Sequence, residues 1–350
     1  MRKIIDSFKT SGGKHCITSS LRQVFEYYNY MITEEMIFGI ASGLDFVYIN
    51  LEKSPMISGR TKPFVFEKKL SERLNMEIKC KSSSNYNNVF DKTIKIINDN
   101  KPVVVYVDMF YLKYLNLEED SHFGGHAIVI FGYDDKENKF YISDRDNCDN
   151  PIRTPMGYIS KDYHLVNYFE IEEARSSNYR PFPAKNKYLD IKLDKCRKVT
   201  PNIIKAAIRE TCNNMLNAPA QLLGLNGINK FSKEILKWSK FEDVKLRKAG
   251  ITNYFQINAD GGTGGGIFRR MYGDFLKEAS IILKSREIKE VGEEFINISE
   301  KWDKVGEFMW KLYESGDKQL LIEMSGIIKE IHKDETYALS KLYQLVSQSD

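Results

Sequence analysis

Two hydrophobic periods divide the first half of the chain. Ile17, Leu21, Val24, Phe25 and Tyr28 recur at helical spacing, which predicts an amphipathic helix opening at Cys16. Thr33, followed by Glu34 and Glu35, reads as a cap with acids in the positive first turn of a second helix, ended by the glycines of residues 39–46. Two more helices are predicted at about 64–74 and 89–98. The texture then changes. PVVVYVD, residues 102–108, is a β-branched run bounded by Lys-Pro and Asp, and it reads as a buried strand. HAIVIFGYDD (126–135) and KFYISD (139–144) read as two further strands joined by a polar hairpin connection. Helices followed by an antiparallel sheet predict the α+β class.

Residues 173–187, EARSSNYRPFPAKNK, are polar and hold two of the nine prolines, so they are read as a linker. Beyond them strand signals nearly vanish. Helical periodicity runs through residues 200–216, 228–249, 267–284, 286–313, 317–332 and 335–347, interrupted by the glycine-rich ADGGTGGGIFRRMY of 259–272. A length of 350 residues supports about two domains. The expected division is 1–175 for the α+β domain and 185–350 for a mostly α-helical domain that covers the cleft of the first.

Charge adds exclusions. With 52 basic and 48 acidic side chains, the excess is too small and dispersed to mark a nucleic-acid surface. No window approaches a membrane span, and the basic start, MRKIIDSFKTSGGKHC, has no apolar stretch of the kind a secretory signal needs. Cys16, Cys80, Cys148, Cys196 and Cys212 are few, odd in number and widely spaced, which disfavours both a disulfide framework and an all-cysteine metal site. A cytoplasmic protein with reduced thiols, no metal and no cofactor of its own is expected.

Against that background Cys16 stands out. It follows Ser11-Gly12-Gly13-Lys14-His15 and opens a helix, where the positive end of the dipole and unpaired amides favour the thiolate. The amides of the glycines, Gly13 in particular, or that of Cys16 itself, are candidate oxyanion donors. Alone, such a cysteine is ordinarily a buried structural thiol. His126 changes that reading, because it follows Gly124-Gly125 at the start of an apolar strand, and Asp144 ends the strand paired to it. A carboxylate there can fix the imidazole tautomer and stabilise the imidazolium. Cysteine on a helix start, histidine on a strand start and aspartate on the next strand end is the order of papain-like enzymes, although the local papain signature is missing.

Other residues are weaker candidates. His15 adjoins the nucleophile and is a candidate oxyanion donor or thiol-tuning group, although neighbours on a helix start point in different directions. Asp146 rivals Asp144, Arg145 between them is a candidate substrate contact, and His122 has no third ligand at metal-binding spacing. Glu34 and Glu35 are read simply as first-turn charges. GGTGGGIFRR lacks the Lys-Ser/Thr of a phosphate loop and follows no predicted strand. Its Gly264, Gly265 and Arg269, with Arg270, are candidates for approaching the cleft or meeting a phosphopantetheine arm or acidic carrier, against the plainer reading of a hinge between helices.

HCITSSLRQVFEYYNYMITEEMIFGIASGLDFVY, from residue 15, resembles the start of the butirosin biosynthesis protein H N-terminal family of acyltransferases, and FGGHAIVIFGYDD with YISDRD resembles its histidine and aspartate segments. GLNGINKFSKEILKW and GGTGGGIFRRMYGDFL resemble the helical domain of unknown function that accompanies it. The resemblance spans nearly the whole chain. It implies a papain-like fold with Cys16, His126 and Asp144 as the triad. It also implies passage of an acyl group from a carrier-protein or CoA thioester to a small amine acceptor in specialised-metabolite biosynthesis. Any phosphopantetheine then enters with the donor, and a second copy of the chain is a further partner allowed for. A cysteine peptidase, amidase or thioesterase, and a catalytically dead binding module of the same fold, stay open beside it.

Overall fold

The three apolar runs of residues 102–144 become three neighbouring strands of one sheet, against which the first and fourth helices of the chain pack. The computed structural model describes residues 1–51, 54–117, 121–154 and 157–347; the last three residues of the expected second domain lie outside these. In chain order the first elements are β1 (Arg2–Ile4), α1 (Cys16–Tyr27), α2 (Glu34–Ile40), β2 (Leu44–Asn50), β3 (Pro55–Arg60), α3 (Val65–Leu74), β4 (Glu77–Lys81) and α4 (Tyr86–Asn98). There follow β5 (Val103–Val107), β6 (His126–Asp134), β7 (Lys139–Ser143), β8 (Ile152–Thr154), β9 (Gly157–Ile159), β10 (His164–Asn167), α5 (Tyr168–Ser176) and β11 (Tyr188–Lys192). Helices α6 (Pro201–Leu216), α7 (Gly224–Glu234), α8 (Asp243–Ile257), α9 (Arg269–Leu283), α10 (Arg286–Ser315) and α11 (Leu320–Ser347) complete the chain. The protein is thus mixed α/β, with an antiparallel sheet and a mostly helical C-terminal region.

The elements form two compact units, Met1–Glu34 with Asn75–Arg197, and Glu35–Leu74 with Lys198–Asp350. In the first, seven strands are ordered β10-β7-β6-β5-β11-β4, with β1 also paired to β6. Every pairing is antiparallel. Strands β5 and β6 are buried along almost their whole length, which is why they read as unbroken apolar runs rather than as alternation. Helix α1 packs on both through its buried Ile17, Leu21, Val24 and Phe25. Each such side chain contributes about 1.5–3 kcal/mol on burial, so the helix carrying Cys16 is anchored firmly. His126 pairs with Val107 of β5, and Ser143 of β7 with Val129, so Asp144 follows β7 near the His126 end of the ladder.

The single boundary expected at residues 175–185 is not how the chain divides. Residues 173–187 do not separate two bodies: they complete α5 and lead into β11, which fills the sheet between β5 and β4. Tyr188 pairs with both Val105 and Lys81 there. A polar, proline-containing loop before a short strand looks like a linker because its partner strands are distant in sequence. Residues 35–74 belong with the C-terminal helices for an equally nonlocal reason. Asn253 of α8 completes the edge of β3, accepting from the Ile57 amide at 2.9 Å and donating to the Pro55 carbonyl at 2.9 Å. Phe46 of β2 stacks against Trp302 of α10, with ring centroids 5.8 Å apart.

Within this second unit α11 is one helix where two were expected, since the residues from His332 to Asp334 include neither Gly nor Pro to end it. Gly316 in the left-handed region, φ 70°, closes α10 and turns the chain into α11. Among the described residues no helix is long and apolar enough to cross a membrane, and all five cysteines are thiols.

Candidate active site

Cys16 is the first residue of α1, and His15, its N-cap, has an extended backbone and makes no side-chain capping bond. The cap comes from another element. Glu34, buried at the end of the first segment, accepts from the Lys14 amide at 3.1 Å, the His15 amide at 3.2 Å and the Thr18 hydroxyl at 2.7 Å. Arg22, in the second turn of α1, donates to the Gly12 carbonyl at 2.7 Å and lies 3.7 Å from Glu34. The loop before the nucleophile is therefore clamped from both sides. Gly13 is required here: a Cβ would lie 2.4 Å from both Glu34 Oε1 and Ser19 Oγ. Its amide donates to the Arg145 carbonyl at 2.7 Å, so Gly13 is committed to the loop and is not the oxyanion donor expected. Glu34 is likewise more than a first-turn charge.

The sheet supplies the other half. His126 Nε2 bonds Asp144 Oδ2 at 2.8 Å, with both residues buried. The rings of His15 and His126 both lie near enough to the Cys16 thiol to act on its charge. Asp144 is pinned by two more donors, the Tyr114 hydroxyl at 2.8 Å on Oδ2 and the Arg145 amide at 2.7 Å on Oδ1. Asp146 is not the orienting acid. It faces the other way, bonds His164 Nε2 at 2.9 Å and accepts from the Lys161 amide at 2.8 Å. His164 in turn stacks on Tyr114, centroids 3.8 Å apart. A second His–Asp pair thereby braces the tyrosine that holds the first.

The electrostatics follow from these contacts. Burial pushes the Cys16 thiol up, but His15 and His126 outweigh it and hold its pKa well below the ordinary value. Cys212, buried in the second unit away from any such partner, shows the opposite outcome, with burial pushing it up. Burial opposes a charged His126, yet Asp144 and Cys16 raise its pKa to about 10. Burial also opposes an ionised Asp144, and His126, Tyr114 and Arg145 keep its carboxyl far below the usual range. These influences favour the thiolate and the imidazolium over the neutral pair, with a carboxylate behind them.

Tyr114 and Glu34 carry no signal of their role in the sequence, because one lies in a short 3-10 turn and the other at the start of a distant helix. Tyr114→Phe removes one of three donors to Asp144 and should cost about 0.5–1.5 kcal/mol of stability. The thiol remains reactive, and thermal unfolding together with iodoacetamide alkylation checks both halves. Loss of alkylation in this variant would give Tyr114 a direct part in forming the thiolate.

Other candidates resolve differently. His122 Nδ1 bonds Asp108 at 2.9 Å and its ring stacks on Tyr179. No cluster of three His, Cys, Asp or Glu side chains suited to a metal occurs among the described residues. The glycine-rich segment folds into the second unit. Gly262, Gly264, Gly265 and Gly266 take positive φ, and the Gly266 amide donates to Asp303 at 2.7 Å. Arg269 is fully buried and doubly bonded to Glu335, Nε to Oε1 at 2.8 Å and Nη2 to Oε2 at 2.9 Å. It is therefore not the phosphate- or carrier-binding cation expected; its charge is consumed inside the helical unit.

A family model described as Butirosin biosynthesis protein H, N-terminal, matches residues 15–145. One described as Domain of unknown function (DUF4872) matches residues 170–342. No curated protein matches the chain. The first match runs from His15 to Arg145 and so takes in the cysteine and both strand ends. The chain thus carries a domain of the butirosin biosynthesis protein H N-terminal type at residues 15–145 and a separate domain of unknown function at 170–342.

Proposed function

We propose that the chain is a papain-like cysteine acyltransferase that takes an acyl group from a thioester, carried by an acyl carrier protein or by CoA, to a small amine. The carrying observation is the His126–Asp144 pair, bonded at 2.8 Å, with the ring near enough to the buried Cys16 thiol to favour its thiolate. The family match suggests an enzyme related to butirosin biosynthesis, and acyl transfer is the chemistry that this site suits.

The Cys16 thiolate adds to the thioester carbonyl carbon, forming the C–S bond while the carbonyl π electrons move to oxygen. Collapse re-forms the carbonyl and expels the donor thiolate, which takes the proton held by His126. His126, now neutral, accepts a proton from the amine as its nitrogen attacks the acyl-enzyme, and keeps it as the C–S bond breaks, the amide leaves and the Cys16 thiolate is regenerated. Asp144 holds the ring in the tautomer that both steps need. The phosphopantetheine belongs to the donor and departs with it.

Intact-mass measurement tests the reading. Wild type mixed with a panel of acyl N-acetylcysteamine thioesters is expected to gain one acyl group on Cys16, and the adduct to decay faster, with amide formation, when a panel of small amines is added. Equal decay and equal release of free acid with and without amines would make the protein a thioesterase or amidase instead. No adduct with any thioester would remove the acyltransferase reading.

A further inference from the structure

In the acyl transfer proposed above, the oxygen of the attacked carbonyl becomes negative and needs donors. The loop before Cys16 has few to offer. The amide of Gly13 goes to the Arg145 carbonyl, and those of Lys14 and His15 go to Glu34. The first amide past the clamp is that of Cys16, which has no hydrogen-bond partner among the described residues. A single donor is a thin provision where such sites ordinarily present two.

The imidazole of His15 stands at the same place. Its Nε2 lies 3.9 Å from Cys16 Sγ, and the residue is buried. The extended backbone of His15, φ −134° and ψ 137°, allows its side chain to fold back over the thiol. This overrides the expectation that neighbours at a helix start diverge. His126 has the carboxylate partner that suits a proton carrier. His15 receives its carboxylate contact on the backbone amide, from Glu34, which fixes the position of the residue. The two imidazoles thus reach one sulfur with different supports, and the division of labour follows from that.

We propose that the His15 imidazole, through Nε2–H, is the side-chain donor to the oxyanion formed on the acyl group, working with the Cys16 amide; this rests on the acyltransferase reading. Before attack the group faces the thiolate. As the C–S bond forms, the negative charge leaves sulfur for the carbonyl oxygen, about one bond further out. The 3.9 Å separation leaves room for that oxygen at about 2.7–3.1 Å from Nε2. Glu34 then has a catalytic consequence without touching substrate. By holding the amides of residues 14 and 15 it removes competing donors and sets the imidazole over the sulfur.

The test separates a reaction that makes an oxyanion from one that does not. Iodoacetamide alkylates the thiolate by displacement and develops no carbonyl oxyanion, whereas acylation by an N-acetylcysteamine thioester does. His15→Leu is expected to slow acylation by about 100-fold more than it slows alkylation, with both rates taken at a pH where the thiol of each variant is ionised. His15→Gln, which keeps a side-chain N–H, should recover at least tenfold of the lost acylation. Alkylation also reports a folded site in each variant. Parallel loss of both reactions in both variants would make His15 a thiol-tuning or structural residue and overturn the proposal, as would unchanged acylation in His15→Leu. Acylation that persists in Cys16→Ala would instead overturn the acyltransferase reading itself, so the two failures are distinguishable.

Discussion

His126→Ala is expected to slow alkylation of Cys16 at pH 7 by about tenfold or more, since one of the two histidines that hold the buried thiol ionised is lost. The sign follows from the two opposing influences on the thiol. Burial pushes it up, and the histidines pull it down. Cys212 shows where burial alone leads. The same ion pair links proton binding to stability. His126 has its pKa raised to about 10 in the folded protein, above an unfolded value of about 6.5. Its stabilising contribution is therefore complete below about pH 6.5 and fades as pH rises through about 10. Asp144 is depressed, so its contribution is complete above the unfolded carboxylate value and is lost only as strong acid protonates it. Acyl transfer should fall as pH rises through about 10, because the imidazolium that protonates the leaving thiolate disappears, even though the thiolate itself persists. An alkylation rate for His126→Ala equal to that of wild type across pH 5–10 would remove His126 from this role.

In the helical unit the largest effect is expected from Glu335→Leu. Its carboxylate receives Arg269 through two bonds and also the Trp302 indole N–H at 3.0 Å. All three side chains are buried, with the guanidinium carbon 5.9 Å from the Phe46 ring centroid and 5.8 Å from that of Trp302. Removing the acid leaves a buried cation without its partner, a loss of about 3–5 kcal/mol. For a body of this size that lowers the thermal midpoint by about 10 °C. The double variant Arg269→Met/Glu335→Leu removes both charges and should regain most of the loss, because a well-packed apolar pair does as well as a buried ion pair. Thermal unfolding of the two single variants and the double one decides it. If the double variant melts as low as Glu335→Leu, the shape of the pair matters and its charge does not.

Parts of this architecture are legible in the chain because they depend on neighbours close in sequence. The helix after Cys16 shows in its apolar spacing, and strands β5, β6 and β7 show as apolar runs divided by turns. Two adjacent antiparallel strands bring their ends together, so His126 and Asp144 can be paired from spacing alone. What escapes has no local signature. Strand β11 has only five residues and pairs with segments more than eighty residues away. The Arg269–Glu335 pair is 66 residues apart in the chain, and from charge alone Arg269 looks available to a ligand. Glu34 has the composition of a first-turn acid and the position of a clamp. A carboxylate pattern gives no hint of which amides it will meet.

Residues 35–74 are separated from their structural partners by the whole of 75–197. This has a cost during synthesis. The β2–β3 hairpin presents Phe46, Tyr48, Met56 and Ile57, all buried in the finished unit, long before Asn253 or Trp302 has been added to the chain. At ribosomal speeds of about 5–20 residues per second the delay is on the order of ten seconds or more. During it the nascent chain displays an apolar strand pair with an unfilled edge, a template for pairing with other copies. Slow translation, low temperature or chaperone supply should therefore govern the yield of soluble protein more than the final stability does. Stopping the chain after Arg197 would make that exposed state permanent.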